Sequence, residues 1–318
     1  MQMQPNSDIL SQDRKILAKL DAKTFLITGG NGMLGRAYQT QLKHLVPTAK
    51  VYYLNKAELD VRRIDAFAPY NRVRPDYVVH CAALVDADYC EDHEDEATDS
   101  IVAGTNNVLE FTRQCGAKLL YPQSFLIYDG ADPLIDEKTM PRPLNVYGRL
   151  KLTAEKNALD GSVPALAVRM GGFFGGMSAD NNFVGRITPH LAKLIRQGTP
   201  SIEIGNRVWQ PTYTDDLAAN SLLLLATDCV GTYCMASQGS ASFHELTIEI
   251  ARQLGISDKI EINSIDATLF AAKERAKRPL SAIMRNQRLQ DEGLDRQRPW
   301  QTSLAEYLNQ PFFRDIFK

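Results

Sequence analysis

Short apolar runs alternate with stretches whose apolar residues recur every three to four positions, and this alternation fills the chain from residue 23 to about 170. The runs predict strands at 51–54, 77–81, 118–121 and 165–169, after a first one that starts at Lys23 and runs straight into a glycine turn. The helical spacing predicts helices after residue 33 (Met33, Leu34, Ala37, Leu42, Leu45) and over 63–71, 95–115 and 146–159. Strands and helices in strict succession build an α/β, doubly wound parallel sheet with both faces covered. Ligands of such sheets sit outside the carboxyl ends of the strands, where the strand order reverses, so chemistry is expected there.

Beyond residue 170 the texture changes. Glycines cluster at 171, 172, 175 and 176, and the periodicity predicts helices over 187–196, 215–227, 243–254 and 266–276, with strands at 201–204 and 232–235. Three parts are therefore expected: an N-terminal extension (1–22), with helical spacing over 8–20, a nucleotide-binding domain (23–170), and a smaller mixed α/β substrate lobe (171–318). The lobe is expected to lend some elements back to the sheet. Composition narrows the field further. With 44% hydrophobic residues and a net charge of −2, the chain has ample core and no basic footprint for nucleic acid. Five cysteines without a C-x-x-C pair suit a reducing compartment. The first 21 residues lack the apolar core of a signal peptide, and Leu222–Leu225 is too short to cross a bilayer. A cytoplasmic protein without membrane contact is the expectation.

Two patterns carry chemistry. Gly29, Gly32 and Gly35 fall between the first strand and the first long helix, at a spacing that lets backbone N–H groups and the positive helix end meet a pyrophosphate. Farther on, Tyr147 and Lys151 form a Y-x-x-x-K on a predicted helix, which places them about 6 Å apart on one face. An ammonium so near favours tyrosinate and makes the phenol a usable proton donor or acceptor. The same spacing at Tyr52 and Lys56 falls on a predicted strand, where about 13 Å would separate them, so that pair is set aside. Ser124 closes the strand before the helix and can hydrogen-bond a carbonyl oxygen beside Tyr147, although serine at a strand end is often only a cap.

The glycine loop, Leu59-Asp60-Val61, His80-Cys-Ala-Ala83, Gln123-Ser124, and the run Pro143-Leu-Asn-Val-Tyr-Gly-Arg-Leu-Lys151 together resemble the extended short-chain dehydrogenase/reductases, nearest the dTDP-4-dehydrorhamnose reductase branch. The likeness continues through Asn182-Phe183, Pro211-Thr-Tyr-Thr-Asp-Asp216, Gly231-Thr-Tyr233 and Arg278-Pro-Leu-Ser281. The resemblance implies a Rossmann fold, a nicotinamide cofactor, and a nucleotide-linked 4-keto-6-deoxy sugar as substrate, with a homodimer open. Matching positions imply that Ser124 orients the keto group, Tyr147 supplies the proton, and Lys151 binds ribose and tunes Tyr147. They place the pyrophosphate on Gly29, Gly32, Met33, Leu34 and Gly35, the adenine by Asp60 and Val61, and the rest of the cofactor against Cys81, Ala82, Ala83 and Met170. Ala87, Asn182 and Arg278 match substrate positions.

The chain also departs from that pattern. Phe125 and Leu126 replace a polar pair, Ile101 stands where an Asn is usual, and Gly172 stands where an aromatic residue adjoins the sugar, so a rebuilt sugar pocket is expected. Leu54-Asn55-Lys56 offers no carboxylate to the adenosine ribose, whereas Arg36 and Lys56 suit a 2′-phosphate; NADP(H) is favoured over NAD(H). Trp209 before Gln210-Pro211 is either a wall of the substrate pocket or plain core. The acidic run 91–96 is read as dressing of a helix N-terminus rather than a metal site, and no metal is expected. Two other functions stay open: a sugar-nucleotide epimerase or dehydratase retaining NAD, and a non-catalytic regulatory partner of the kind represented by the methionine adenosyltransferase β subunit.

Overall fold

The structure, a computed structural model, describes residues 11–271 and 273–317. Five of the expected strands are present: β1 (Thr24–Thr28), β2 (Lys50–Leu54), β3 (Tyr77–His80), β4 (Lys118–Ser124) and β5 (Ala165–Met170). A sixth, β6 (Gly231–Met235), returns from beyond the glycine-rich stretch and pairs in parallel with β5. The sheet is parallel throughout, in the order β2-β1-β3-β4-β5-β6. The order reverses between β1 and β3, so the crevice for a nucleotide opens there.

Helices α1 (Ser11–Leu17), α2 (Met33–Leu45) and α8 (Thr214–Leu225) cover one face. The other is covered by α3 (Ala87–Asp92), α4 (Glu94–Thr98), α5 (Gly104–Cys115) and α6 (Val146–Ala158), and α7 (Phe183–Arg196) and α9 (Phe243–Gln253) belong to the second lobe. The all-leucine stretch of α8 is buried against α2 and the sheet, as a helix that is apolar all round requires. Leu17 and Leu20 of the extension join the same core, and Asp13, 2% exposed, takes a two-pronged ion pair from Arg296 at 2.8 Å. The helix expected over 8–20 is thus α1 plus a 3-10 turn, Ala18–Leu20; residues 8–10 lie outside the described residues.

Four expectations differ from the structure. The helix expected over 63–71 is a 3-10 turn, Ile64–Tyr70, with Pro69 inside it. The one expected over 95–115 is interrupted by a π-helical turn, Asp99–Ala103, before α5 begins. Strand β4 runs on to Ser124 through Pro122, because its pairing with β3 ends at Leu120 and the missing N–H falls where no β3 partner is left. The helix expected over 266–276 is only Thr268–Ala271: the Ala276 N–H is taken by Asp88 of α3 at 3.0 Å, and residues 273–276 form turns and bends.

Candidate active site

The first glycine loop is built by close approach. Gly29 has φ +66°, and a Cβ there would come within 2.7 Å of the Ala82 backbone. A Cβ on Gly35 would stand 2.5 Å from the Gly29 carbonyl oxygen. Only hydrogen fits at these positions, and the tightness seats the loop in the β1/β3 crevice. Gly32 caps α2 without any side chain, so the first N–H groups of the helix, those of Met33, Leu34 and Gly35, face outward at its positive end. That is the donor set a pyrophosphate needs, and the cradle fits a dinucleotide.

The crevice is braced by a chain of hydrogen bonds. The Ala82 N–H donates to Thr28 Oγ1 (3.1 Å), Thr28 pairs with His80 Nδ1 (2.8 Å), His80 Nε2 pairs with Thr105 Oγ1 (3.1 Å), and Thr105 donates to the Ile101 carbonyl (2.5 Å). Burial pushes the His80 pKa down to about 3, so the ring is neutral, and with Thr28 receiving the Ala82 proton the satisfied tautomer carries hydrogen on Nε2. Ile101 is buried and supplies its carbonyl here rather than a side-chain amide. Cys81, its thiol pushed up to about 12 by burial, and Ala83 are half-buried neighbours of Ala82, while Met170 is buried at the end of β5.

At the end of β2, Asn55 Oδ1 accepts from the N–H groups of Ala57 and Glu58, and the Glu58 carboxylate accepts from the Asn55 N–H at 2.9 Å. A carboxylate is therefore present after all, brought round by a turn that the strand-end residues alone did not reveal. Arg36 and Lys56 are exposed, Arg36 donating to the Asn31 carbonyl at 2.9 Å. Asp60 is paired with Arg62 at 2.6 Å, which holds its carboxyl down at about 2, and Val61 is buried, its carbonyl taken by Asn107. Tyr52 and Lys56 do not meet: β2 ends at Leu54 and Lys56 lies in the turn.

Tyr147 and Lys151 share α6 one turn apart, and both are buried. Asn145 caps the helix by accepting from the Gly148 N–H at 2.7 Å, and Glu91 accepts from the Val146 N–H at 2.7 Å. The acidic run thus serves a helix N-terminus, but that of α6, alongside its own. A Cβ on Gly148 would press within 2.3 Å of the Leu126 carbonyl oxygen, so α6 lies tight on the loop leaving β4. There Ser124 Oγ accepts from the Leu126 N–H (3.1 Å) and stands near enough to the Tyr147 phenol to oppose the rise of its pKa. Lys151 Nζ donates to the Pro122 carbonyl at 2.7 Å and sits 3.9 Å over the Tyr121 ring.

The electrostatics differ from the sequence expectation. Burial raises the Tyr147 pKa, opposed by Ser124, and Lys151 is itself pulled down to about 7 by burial, opposed by Glu155. The lysine is engaged by a carbonyl and a ring, and burial keeps the phenol protonated.

Behind the set lies a network that sequence reasoning missed. Gln123 Nε2 donates to the Lys151 carbonyl (2.9 Å) and to Glu155 (2.7 Å), while its Oε1 accepts from the Ser124 N–H (2.8 Å). Glu155 pairs with Arg169 at 2.5 Å, and Arg169 donates to the Tyr128 hydroxyl at 2.8 Å. The available signal was an arginine inside the otherwise apolar run 165–170 and a glutamate one turn past Lys151.

The expected substrate positions gather round the same edge. Asn182 caps α7, donates to the Phe173 carbonyl at 2.8 Å and touches Met33 Sδ at 3.8 Å, joining the second lobe to the glycine loop. Arg278 forms a fork to Asp88 (3.1 and 2.9 Å), next to buried Ala87, and the Lys277 carbonyl accepts from Asn145, the cap of α6. Phe125 and Leu126 are half-buried, packed into apolar clusters. Trp209 is buried, its indole lying where a side chain at Gly172 would go. No group of three or more His, Cys, Asp or Glu among the described residues could hold a metal ion, and no helix among them is long and apolar enough to cross a membrane.

A glycine cradle at the switch point, facing a serine, tyrosine and lysine across the carboxyl edge of a parallel sheet, defines an NAD(P)-dependent oxidoreductase of the extended short-chain type. Comparison with known proteins narrows this. The family profile described as "RmlD substrate binding domain" matches residues 23–312, and the chain belongs to that family, the dTDP-4-dehydrorhamnose reductase-like group. A solved dTDP-4-dehydrorhamnose reductase from Clostridium acetobutylicum superposes with a TM-score of 0.81 at 30% identity, covering 90% of this chain and 98% of that one. Another from Bacillus anthracis, in complex with NADP, also gives 0.81, at 26% identity with the same coverage. Methionine adenosyltransferase 2 subunit beta of Mus musculus is 26% identical over 311 residues, covering 93% of this chain and 90% of the relative.

Proposed function

We propose that this protein reduces the keto group of a nucleotide-linked 4-keto-6-deoxy sugar, with NADP(H) as the preferred cofactor. The observation that carries the reading is the gathering of Ser124, at the end of β4, with Tyr147 and Lys151, buried one turn apart on the helix that packs against the loop leaving that strand. The cradle of Gly29, Gly32 and Gly35 and the outward N–H groups of α2 would hold the cofactor's pyrophosphate, with Asp60 and Val61 by the adenine and Cys81, Ala82, Ala83 and Met170 along the nicotinamide half. When bound, the cofactor supplies a hydride to the carbonyl carbon. Arg36 and Lys56 suit a 2′-phosphate and Glu58 suits a ribose hydroxyl, so the preference for NADP(H) rests on two exposed cations against one carboxylate already occupied by the Asn55 N–H.

Tyr147 is protonated at neutral pH and donates its phenolic proton to the carbonyl oxygen as charge develops there. Ser124 donates a second hydrogen bond to that oxygen. Lys151, freed from the Pro122 carbonyl, holds the nicotinamide ribose and stabilises the tyrosinate left behind. Ala87, Asn182, Trp209 and Arg278 line the sugar-nucleotide side, and holding donor and acceptor in register supplies much of the acceleration. The relatives named dTDP-4-dehydrorhamnose reductase support this substrate class. The test is NADPH oxidation against a panel of nucleotide keto-sugars: Tyr147→Phe abolishes turnover while retaining NADPH affinity, and unaltered turnover would refute the assignment.

A second reading, a regulatory subunit, is favoured by the likeness to methionine adenosyltransferase 2 subunit beta. A stoichiometric protein partner, together with no NADPH oxidation on any keto-sugar of the panel, would establish it in place of the first.

A further inference from the structure

At the carboxyl edge of β5, Met170 stands in register with Ser124, and Gly172 follows two residues later. A Cβ built on Gly172 would fall 1.8 Å from Trp209 Cε3 and 2.2 Å from Cζ3. No side chain but hydrogen can occupy position 172 while the indole is there; the ring fills the volume that a side chain at 172 would otherwise take. Phe173, the next residue, gives its carbonyl to Asn182, whose amide also touches Met33 of the glycine loop. The indole therefore belongs to the junction of strand edge, glycine loop and second lobe.

The ring is held from behind. It meets Phe243 edge to face (centroids 5.3 Å, 67°), and Phe243 stacks on Phe183 (4.3 Å, 14°), the residue after Asn182. Val208–Trp209 also pairs antiparallel with Ala241–Ser242, which fixes the backbone from which the side chain hangs. With Trp209 only 6% exposed, its indole N–H is nevertheless buried without a hydrogen-bond acceptor. A donor left so is costly, and a rigidly mounted aromatic with an unpaired N–H, packed on the residue two past the end of β5, is suited to receive a ligand oxygen.

We propose that Trp209, through the room left by Gly172, is the specificity-determining wall of the sugar subsite, its face packing on the hexose and its N–H donating to a sugar or diphosphate oxygen. This rests on the nucleotide-sugar reading above. Trp209 and Trp300 are the two tryptophans of the chain, so Trp300→Phe isolates the Trp209 emission. Titrating that variant with dTDP-glucose or UDP-glucose shifts or quenches its fluorescence saturably, at the affinity calorimetry gives for the wild-type enzyme. Trp209→Phe, which keeps a ring but loses the donor, raises KM for the keto-sugar about tenfold at unchanged NADPH affinity. The reciprocal pair distinguishes this from a merely structural role: Gly172→Phe alone loses sugar-nucleotide binding, and Gly172→Phe with Trp209→Gly regains at least part of it. Calorimetric binding of dTDP-glucose with a silent Trp209 and a Trp209→Phe KM within twofold of wild type would overturn the proposal. Absence of calorimetric binding by either sugar nucleotide would instead overturn the substrate reading, and this wall with it.

Discussion

Replacing Arg169 by methionine removes the charge partner of a carboxylate that water cannot reach. Arg169 and Glu155 side chains are 7% and 4% exposed, and beyond the arginine the Gln123 amide also donates to the Glu155 carboxylate. Breaking one member of such a pair costs about 3–5 kcal/mol, because the remaining ion is stranded in a poorly polarisable interior. Urea unfolding should therefore show a deficit of about 3–5 kcal/mol, and Arg169→Met with Glu155→Gln should recover at least half of it. Because Gln123 links Glu155 to the Lys151 carbonyl and the Ser124 N–H, the single variant should also lose kcat more than NADPH affinity. A deficit under about 1 kcal/mol, or a double variant that recovers none of it, would refute the reasoning.

Other consequences are as direct. With Lys151 held at about 7 by burial, the ammonium is present below that pH and lost above it, so kcat/KM for keto-sugar reduction falls as pH rises through 7; Lys151→Arg moves that limb upward. The Asp215 carboxyl, raised to about 7 by burial and by Asp216, binds a proton in the folded state between its ordinary range and 7, so stability declines over that interval as pH rises. Asp215→Asn should flatten the decline and raise the melting temperature at pH 8. Gly35→Ala, pressing a methyl into the Gly29 carbonyl, should cost NADPH affinity at least about tenfold, read by fluorescence titration of the cofactor.

What could be read from the chain follows from how local each signal is. The glycine loop, β1 to β5 and the Tyr147–Lys151 spacing are written within a dozen residues each, and periodicity delivers them directly. The interruption of the helix at Asp99–Ala103 was not legible, because its cause is distant: the Ile101 carbonyl ends the hydrogen-bond chain that starts at Ala82. Position 276 read as helix because its tie to Asp88 spans 188 residues. The expectation that Lys151 depresses the Tyr147 pKa uses the spacing but not the depth; burial of both groups reverses the balance. Gly172 was visible as an oddity, and Trp209 as an aromatic with two readings, but only folding shows that one makes room for the other.

The return of β6 to the sheet bears on how such a protein can change over time. The polypeptide leaves the central sheet after β5, builds the part that holds α7, and comes back to lay Gly231–Met235 along β5 before departing again. The second lobe is thus a pair of excursions from one framework, not a module appended at its end. Cutting the chain at residue 170 would bare the β5 edge and strip α8 from α2, so neither half should survive alone. The same threading leaves both excursions free to be remodelled without disturbing the strands that carry Ser124 and the glycine loop, a route by which one scaffold can trade one sugar for another.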